Sequence, residues 1–320
     1  MAIERPGAAI GYTGRMTADE HNTRHPETVG EALEYCRSAL ASSDLYFGHG
    51  TDNPWDEAVQ LVLSVSDLPV DSDDGVLPRP LSPGALDRID ELLRQRIGER
   101  KPLPYLLGRA WCAGLEFHCD ERAIIPRSPI AELILNEFRP WYSGPSPGRV
   151  LDLCCGGGCI GLAVAHYFRE LEVDLVDIDP DALALAGDNA QLLDLLDRVS
   201  ILQSDLFSAL AGRRYDIILS NPPYVDSADL ASLPAEYRHE PGLALGSGPD
   251  GLDLSRRILA AAADYLSPTG LLVVEVGNSW PALEQAYPQL PFTWLEFEHG
   301  GHGVFALSAK ELQDYDEKLR

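Results

Sequence analysis

The chain has 320 residues, is 45% hydrophobic and 23% charged, and carries 50 acidic against 25 basic residues, a net charge of −25 at pH 7. This composition excludes a disordered or fibrous chain, and the length suits one large domain with a smaller one. No apolar run is long enough to cross a bilayer, no secretory signal pattern opens the chain, and no basic stripe is present to neutralise nucleic-acid phosphates.

An acidic surface repels nucleic acid and attracts basic partners, and the simpler reading of the same charge is solubility. Cys36, Cys112, Cys119, Cys154, Cys155 and Cys159 form no Cys-x-x-Cys pair, and three of them crowd one glycine-rich turn. Reduced thiols in a cytoplasmic protein fit this pattern better than a disulfide framework, and the spacing matches no zinc site, so no metal is expected.

Residues 1–27 have no hydrophobic period and read as a disordered tail. Val29, Leu33, Cys36 and Leu40 recur at helical spacing. At Asp52-Asn53-Pro54-Trp55-Asp56-Glu57 either Asp52 or Asn53 can cap a second helix, with Pro54 in its first turn. Residues 69–84 form a loop, and a third helix runs from about Pro83 to Glu99. Residues 28–101 are therefore expected to be a small helical domain. Residues 102–148 read as a connector, with a hairpin or extended stretch within Trp111–Ile125, a helix at Ile130–Phe138 and a Pro/Gly/Ser hinge at Ser143–Gly148.

From Arg149 short apolar strands alternate with helices. Strands are expected at 149–153, 173–177, 199–203, 215–220, 271–276, 291–298 and 303–308, and helices at 159–169, 180–191, 252–266 and 280–287. The alternation implies an α/β fold with a mostly parallel sheet covered on both faces. The last two strands, joined through Glu298–Gly303, read as an antiparallel hairpin. Residues 149–310 make the large domain and 311–320 a C-terminal tail.

The segment Val150–Gly161 is strand, glycine turn and helix start, with Cys154, Gly156 and Gly158 in the turn. Gly156, Gly158 and Gly161 also satisfy the G-x-G-x-x-G pattern of dinucleotide sites, which keeps NAD in play. Asp152 argues against it, because a carboxylate beside the turn repels a pyrophosphate and suits a donor carrying an ammonium and a sulfonium, as S-adenosylmethionine does. A purely structural role for Asp152, holding the turn by backbone hydrogen bonds, is the alternative. Asp177 closes the second strand, where an acid accepts from ribose hydroxyls. Asp179 followed by Pro180 suits a helix cap instead. Asp205 stands where an acid accepts from an adenine amino group, with Leu206 and Phe207 beside it to pack on the ring; ordinary core is the competing reading for Phe207.

Asn221-Pro222-Pro223-Tyr224 directly follows the strand Tyr215–Ser220, at the strand edge where open α/β sheets bind ligands. A planar amide nitrogen is a poor nucleophile because its lone pair is delocalised. The Asn221 side-chain oxygen can accept one of its N–H groups, the Pro222 carbonyl the other, and Tyr224 can stack on the flat amide.

These motifs together resemble the HemK-like protein glutamine methyltransferases. Gly48–Glu57, Ile125–Ile130, Asn221–Asp226, Glu236–Pro241 and Phe292–Phe297 extend the resemblance over about residues 28–310, and Ser128-Pro129-Ile130 resembles the branch that acts on ribosomal proteins. The resemblance implies a Rossmann-like seven-stranded methyltransferase sheet and S-adenosylmethionine-dependent methylation of a glutamine side-chain nitrogen. It also implies a helical domain that binds a basic ribosomal protein of the large subunit, with no direct nucleic-acid or membrane partner. It assigns Asn221, Pro222 and Tyr224 to catalysis, and Asp152, Cys154, Gly156, Gly158, Asp177, Asp205, Leu206 and Asn221 to the cofactor. Substrate contacts fall to Asn221–Tyr224 and Arg127. Cys155 and Gly157 stand where the family usually carries Thr and Ser. The alternatives are the same chemistry on a release factor, or methylation of adenine amino groups.

Overall fold

The computed structural model describes residues 25–319 and divides into two compact units, Met1–Gly108 and Arg109–Arg320. Of the expected tail, residues 1–24 lie outside the described residues. At its end the chain is already building a helix. Thr28 caps α1 (Val29–Ala41) in a reciprocal box, with the Glu31 carboxylate accepting the Thr28 N–H.

The first unit packs α1 against α2 (Pro54–Val65), α3 (Ala85–Gly98) and the short α4 (Leu103–Leu107). Asn53, rather than Asp52, caps α2, accepting the Asp56 N–H at 2.9 Å. Leu33, Leu40, Leu61, Ile89 and Leu92 fill the core. Leu103 joins them, which is why the boundary expected at 101 falls after Gly108. Within this core lies an ion pair, Arg96 with Glu57 at 2.5 Å, both nearly inaccessible. Arg96 also donates to the Tyr46 carbonyl at 2.9 Å.

The second unit opens with a hairpin, β1 (Arg109–Cys112) and β2 (Leu115–His118), turned by Ala113 and Gly114, both at positive φ as a type I′ turn demands. After α5 (Ile130–Leu135) comes the alternation read from the sequence: β3 (Arg149–Leu153), α6 (Cys159–Tyr167), β4 (Glu172–Asp177), α7 (Pro180–Leu192), β5 (Val199–Gln203) and β6 (Tyr215–Ser220). There follow α8 (Ser227–Ser232), α9 (Asp253–Ala262), β7 (Leu266–Glu275), α10 (Trp280–Ala286), β8 (Thr293–Trp294) and β9 (Val304–Ser308). Among the described residues, seven strands form one sheet in the order β5-β4-β3-β6-β7-β9-β8, with β9 antiparallel to both its neighbours and the rest parallel. This is the α/β Rossmann-like architecture expected.

Each face of the sheet has its own core. Val150, Leu175, Ile217 and Val273 face α6 and α7, and Leu151, Val176, Ile218 and Val274 face α9 and α10. The period of two along each strand makes this partition. Two readings are corrected. The strand expected at 291–298 shortens to Thr293–Trp294; Leu295 still donates its N–H to the Val304 carbonyl at 2.8 Å, and the N–H groups of Glu298 and His299 go to the Glu132 carboxylate. The C-terminal tail instead begins as helix. Ser308 and Glu311 form a capping box for α11 (Ala309–Asp314), and Leu312 and, in α12 (Asp316–Leu319), Leu319 are buried in the second core.

Replacing Arg96 by Ala removes the guanidinium from a buried Glu57 carboxylate. Urea unfolding of the variant is expected to show a loss of about 3–5 kcal/mol, the usual cost of breaking a buried pair from one side.

Candidate active site

Strand order reverses at β3, with β4 on one side and β6 on the other, and the register pairs Leu153 with Ser220. The glycine turn and the Asn221 loop therefore leave the sheet side by side, and the Ser220 hydroxyl ties them by donating to the Leu153 carbonyl at 2.7 Å. A cavity of about 290 Å³ opens at this crevice. Cys154, Gly156, Asp177, Asp205, Leu206, Asn221 and Pro223 line it, joined by Asp179, Arg122, Leu243, Leu254 and Arg257.

The turn makes its curve with three positive φ angles, at Cys154 (61°), Gly156 (53°) and Gly158 (79°). Gly158 packs against α7, where a Cβ would meet that of Ala186 at 3.1 Å. Inside α6 a Cβ on Gly161 would fall 2.2 Å from a Leu175 methyl carbon, so this glycine sets how closely the helix lies on the sheet.

Two carboxylates take the backbone donors of this segment. Asp177 accepts the Gly156 N–H at 2.8 Å through one oxygen and the Asp179 N–H at 3.0 Å through the other. Asp152 accepts the Gly161 N–H at 2.7 Å. A glycine turn binds phosphate with just such N–H groups. Here two of them, those of Gly156 and Gly161, already face carboxylates, and those of Cys155 and Gly158 bond to backbone carbonyls, which leaves a pyrophosphate fewer donors.

Asp152 lies outside the cavity lining. It shares the strand face of Val150, toward α6, whereas Leu153 faces the cavity side. It is fully buried, its second oxygen has no hydrogen-bond partner, and burial pushes its carboxyl up to about 7 against the opposing Gly161 bond. Burial also raises Asp177. Asp179 caps α7 through the Asp181 N–H, as its sequence position suggested. Asp205 is half exposed and forms an ion pair with Arg257 at 2.8 Å. Leu206 faces the cavity, and Phe207 stacks on Tyr265 with ring centroids 4.5 Å apart, as core.

Asn221 points its half-buried side chain to the cavity, with no hydrogen bond to another described residue. Gly158, Pro222, Tyr224 and Arg127 lie outside the lining. Tyr224 donates its hydroxyl to Glu275 at 3.1 Å, and its ring lies so close to Gly277 that a Cβ there would sit 2.4 Å from it. Arg127 forms a two-pronged ion pair with the inaccessible Glu240 at 2.5 and 2.8 Å. Sequence reasoning did not find Arg122, Arg257, Glu240 or Glu275. Glu275 ends a strand at the same sheet edge as Asp177, and that position was the available signal.

Residues 131–234 match the methyltransferase small domain family. A ribosomal protein uL3 glutamine methyltransferase from Francisella tularensis is 46% identical over 310 residues, which are 97% of this chain and 98% of that one. One of the same name from Xanthomonas campestris is 46% identical over 304 residues, 95% and 98% of the two chains. The chain belongs to the ribosomal protein uL3 glutamine methyltransferases. The cavity thus lies in a methyltransferase, an enzyme class whose reaction calls for a methyl donor. Among the described residues of this methyltransferase, no helix is long and apolar enough to cross a membrane.

The raised Asp152 carboxyl has a thermodynamic signature. Its ordinary value is 3.8 and its folded value about 7, so between these the unfolded chain loses the proton while the folded one keeps it. In the unliganded methyltransferase the aspartate therefore costs stability as pH rises from about 4 to about 7, by roughly 4 kcal/mol in all, with no further change above. Urea unfolding between pH 4 and 8 is expected to show this loss in the parent and not in Asp152→Asn.

Proposed function

We infer that this enzyme transfers the methyl group of S-adenosylmethionine to the side-chain amide nitrogen of a glutamine in ribosomal protein uL3. The observation that carries the reading is one cavity lined both by the glycine turn with Asp177 and Asp205 and by Asn221 and Pro223, in a chain 46% identical over nearly its whole length to enzymes of that name.

The residues fit the donor. Its ammonium and sulfonium suit a turn backed by Asp152 and Asp177, which take the N–H groups of Gly161 and Gly156. Asp177 keeps lone pairs for the ribose hydroxyls beyond its two backbone bonds. One oxygen of Asp205 is paired with Arg257, which leaves the other for an adenine amino group, with Leu206 against the ring. Cys154 and Gly156 form the near wall. Gly158 acts indirectly, by setting the turn on α7.

When bound, S-adenosylmethionine supplies an electrophilic methyl carbon on a sulfonium. The chain's part is to aim and polarise the nitrogen. Asn221 accepts one amide N–H and the Pro222 carbonyl the other, which favours charge on nitrogen as it builds and acts mainly on the transition state. The Pro-Pro pair fixes φ at two successive residues, so the acceptors are preorganised. Tyr224 and Arg127 serve this loop from behind rather than by touching substrate, given their bonds to Glu275 and Glu240. The helical unit is assigned to holding the protein substrate, and the net charge of −25 suits a basic ribosomal protein.

Incubation with labelled S-adenosylmethionine and purified uL3, followed by peptide mapping, is expected to place label on one glutamine; label confined to nucleic acid, or none, overturns the reading. Asn221→Ala is expected to lower turnover by roughly 100–1000-fold with donor affinity little changed, as for loss of a transition-state acceptor. Asp177→Ala is expected to weaken donor binding in calorimetry, and an unchanged dissociation constant would remove it from the site.

A further inference from the structure

We propose that Glu275 is a positioning residue for the Asn221–Tyr224 loop, acting through the hydroxyl of Tyr224 with Ser128 as its second donor. The proposal rests on the methyl-transfer reading above and explains why the segment Ile125–Ile130, remote in sequence from the Asn221–Tyr224 loop, belongs to the same machinery.

Glu275 ends β7 and is 6% exposed. A carboxylate so placed is costly unless its oxygens are bonded. Both are. Ser128 Oγ donates to one at 2.6 Å and Tyr224 Oη to the other at 3.1 Å. A core leucine would fill this site at lower desolvation cost, so the carboxylate earns its place through geometry. The hydroxyl donors can reach it only from fixed directions, and Tyr224 is one of them.

Tyr224 is held at other points as well. Its carbonyl accepts the Ser279 hydroxyl at 2.7 Å, and its ring lies on Gly277 at positive φ. The next residue, Val225, bonds to Leu245 and Ser247 through its backbone. At the other end of the loop, Ser220 is tied to the Leu153 carbonyl. Between these anchors stand Asn221 and two prolines, whose φ angles are fixed by their rings. Once both ends are held, little freedom remains for the backbone that carries Asn221. The Glu275–Tyr224 bond is thus the clamp on the distal end of the catalytic loop.

The segment Ile125–Ile130 supplies the rest of the clamp. Ser128 orients Glu275 while also accepting the Ile130 N–H at 3.2 Å. One residue earlier, Arg127 pairs with Glu240, which accepts the Ile125 N–H at 3.0 Å as well. Arg127 lies 5.5 Å over the Tyr237 ring. These buried charge-assisted bonds fix a strap behind the loop.

Three variants test this, with uL3 methylation and amide hydrogen exchange of the loop as separate readouts. Glu275→Leu is expected to lower kcat by about 30-fold or more, with KM for uL3 and the donor dissociation constant within about 2-fold of the parent, since the loss falls on transition-state alignment. Exchange in a peptide spanning 221–230 is expected to rise about 10-fold or more while the strand peptides stay protected. Glu275→Gln keeps an acceptor for Tyr224 and an amide for Ser128, and is expected to restore kcat to within about 5-fold of the parent. Tyr224→Phe removes the same bond from the other side, so its combination with Glu275→Gln is expected to be no worse than the poorer single variant. Should Glu275→Leu fail to fold, the Gln and Phe variants and their combination decide through additivity and exchange. Full kcat in Glu275→Leu, unchanged loop exchange, or strictly additive losses overturn the proposal. If the parent itself leaves uL3 unlabelled, the methylation reading fails, and the exchange data still judge the clamp.

Discussion

The site depends on two carboxylates turned toward the backbone N–H groups of a glycine segment. Asp177 takes the Gly156 N–H and Asp152 the Gly161 N–H, each in a bond shorter than 3 Å. The same segment with those groups free is a phosphate cradle. With two of them taken, the turn has fewer donors to offer a phosphate. The placing of carboxyl groups on two neighbouring strands thus sets acidic side chains beside a widespread binding turn. It does so at a cost in stability that shows in the raised carboxyl of Asp152.

The second constraint is mechanical. A loop led by asparagine is useful only if its acceptors stay where a nitrogen will arrive, and preorganisation of that kind is built outside the loop. Here it comes from the Ser220 tie at one end, from Glu275, Ser279 and Gly277 around Tyr224 at the other, and from two prolines between them. Tyr224 joins this bracing through its hydroxyl. Its sequence position suggests a ring stacked on substrate, while its hydroxyl is bonded inward to a buried carboxylate.

Much of the architecture was legible in the chain. Strand and helix alternation from Arg149 onward gave the sheet and its two covered faces, because the periods of two and 3.6 are written directly in the apolar residues. The glycine turn, Asp177 and Asn221 were legible as a site because ligands gather at the carboxyl ends of strands. Ends of elements were less so. The strand around Thr293 is short and is followed by a stretch whose Glu298 and His299 N–H groups go to a distant glutamate, and the C-terminal helices are announced only by the Ser308–Glu311 box.

The sequence by itself determined the fold class, the family and the parts of the cavity wall on the glycine turn, Asp177, Asp205 and the Asn221 loop, since these follow from local patterns and from motifs contiguous in the chain. Only the tertiary structure decided that Asp152 lies beneath the turn, that Arg257 pairs with Asp205, and that Arg127, Glu240, Ser128 and Glu275 brace the loop from behind. Those partners are between 52 and 147 residues apart or hidden by strand parity. Local periodicity carries no record of which distant side chain will fill a buried lone pair.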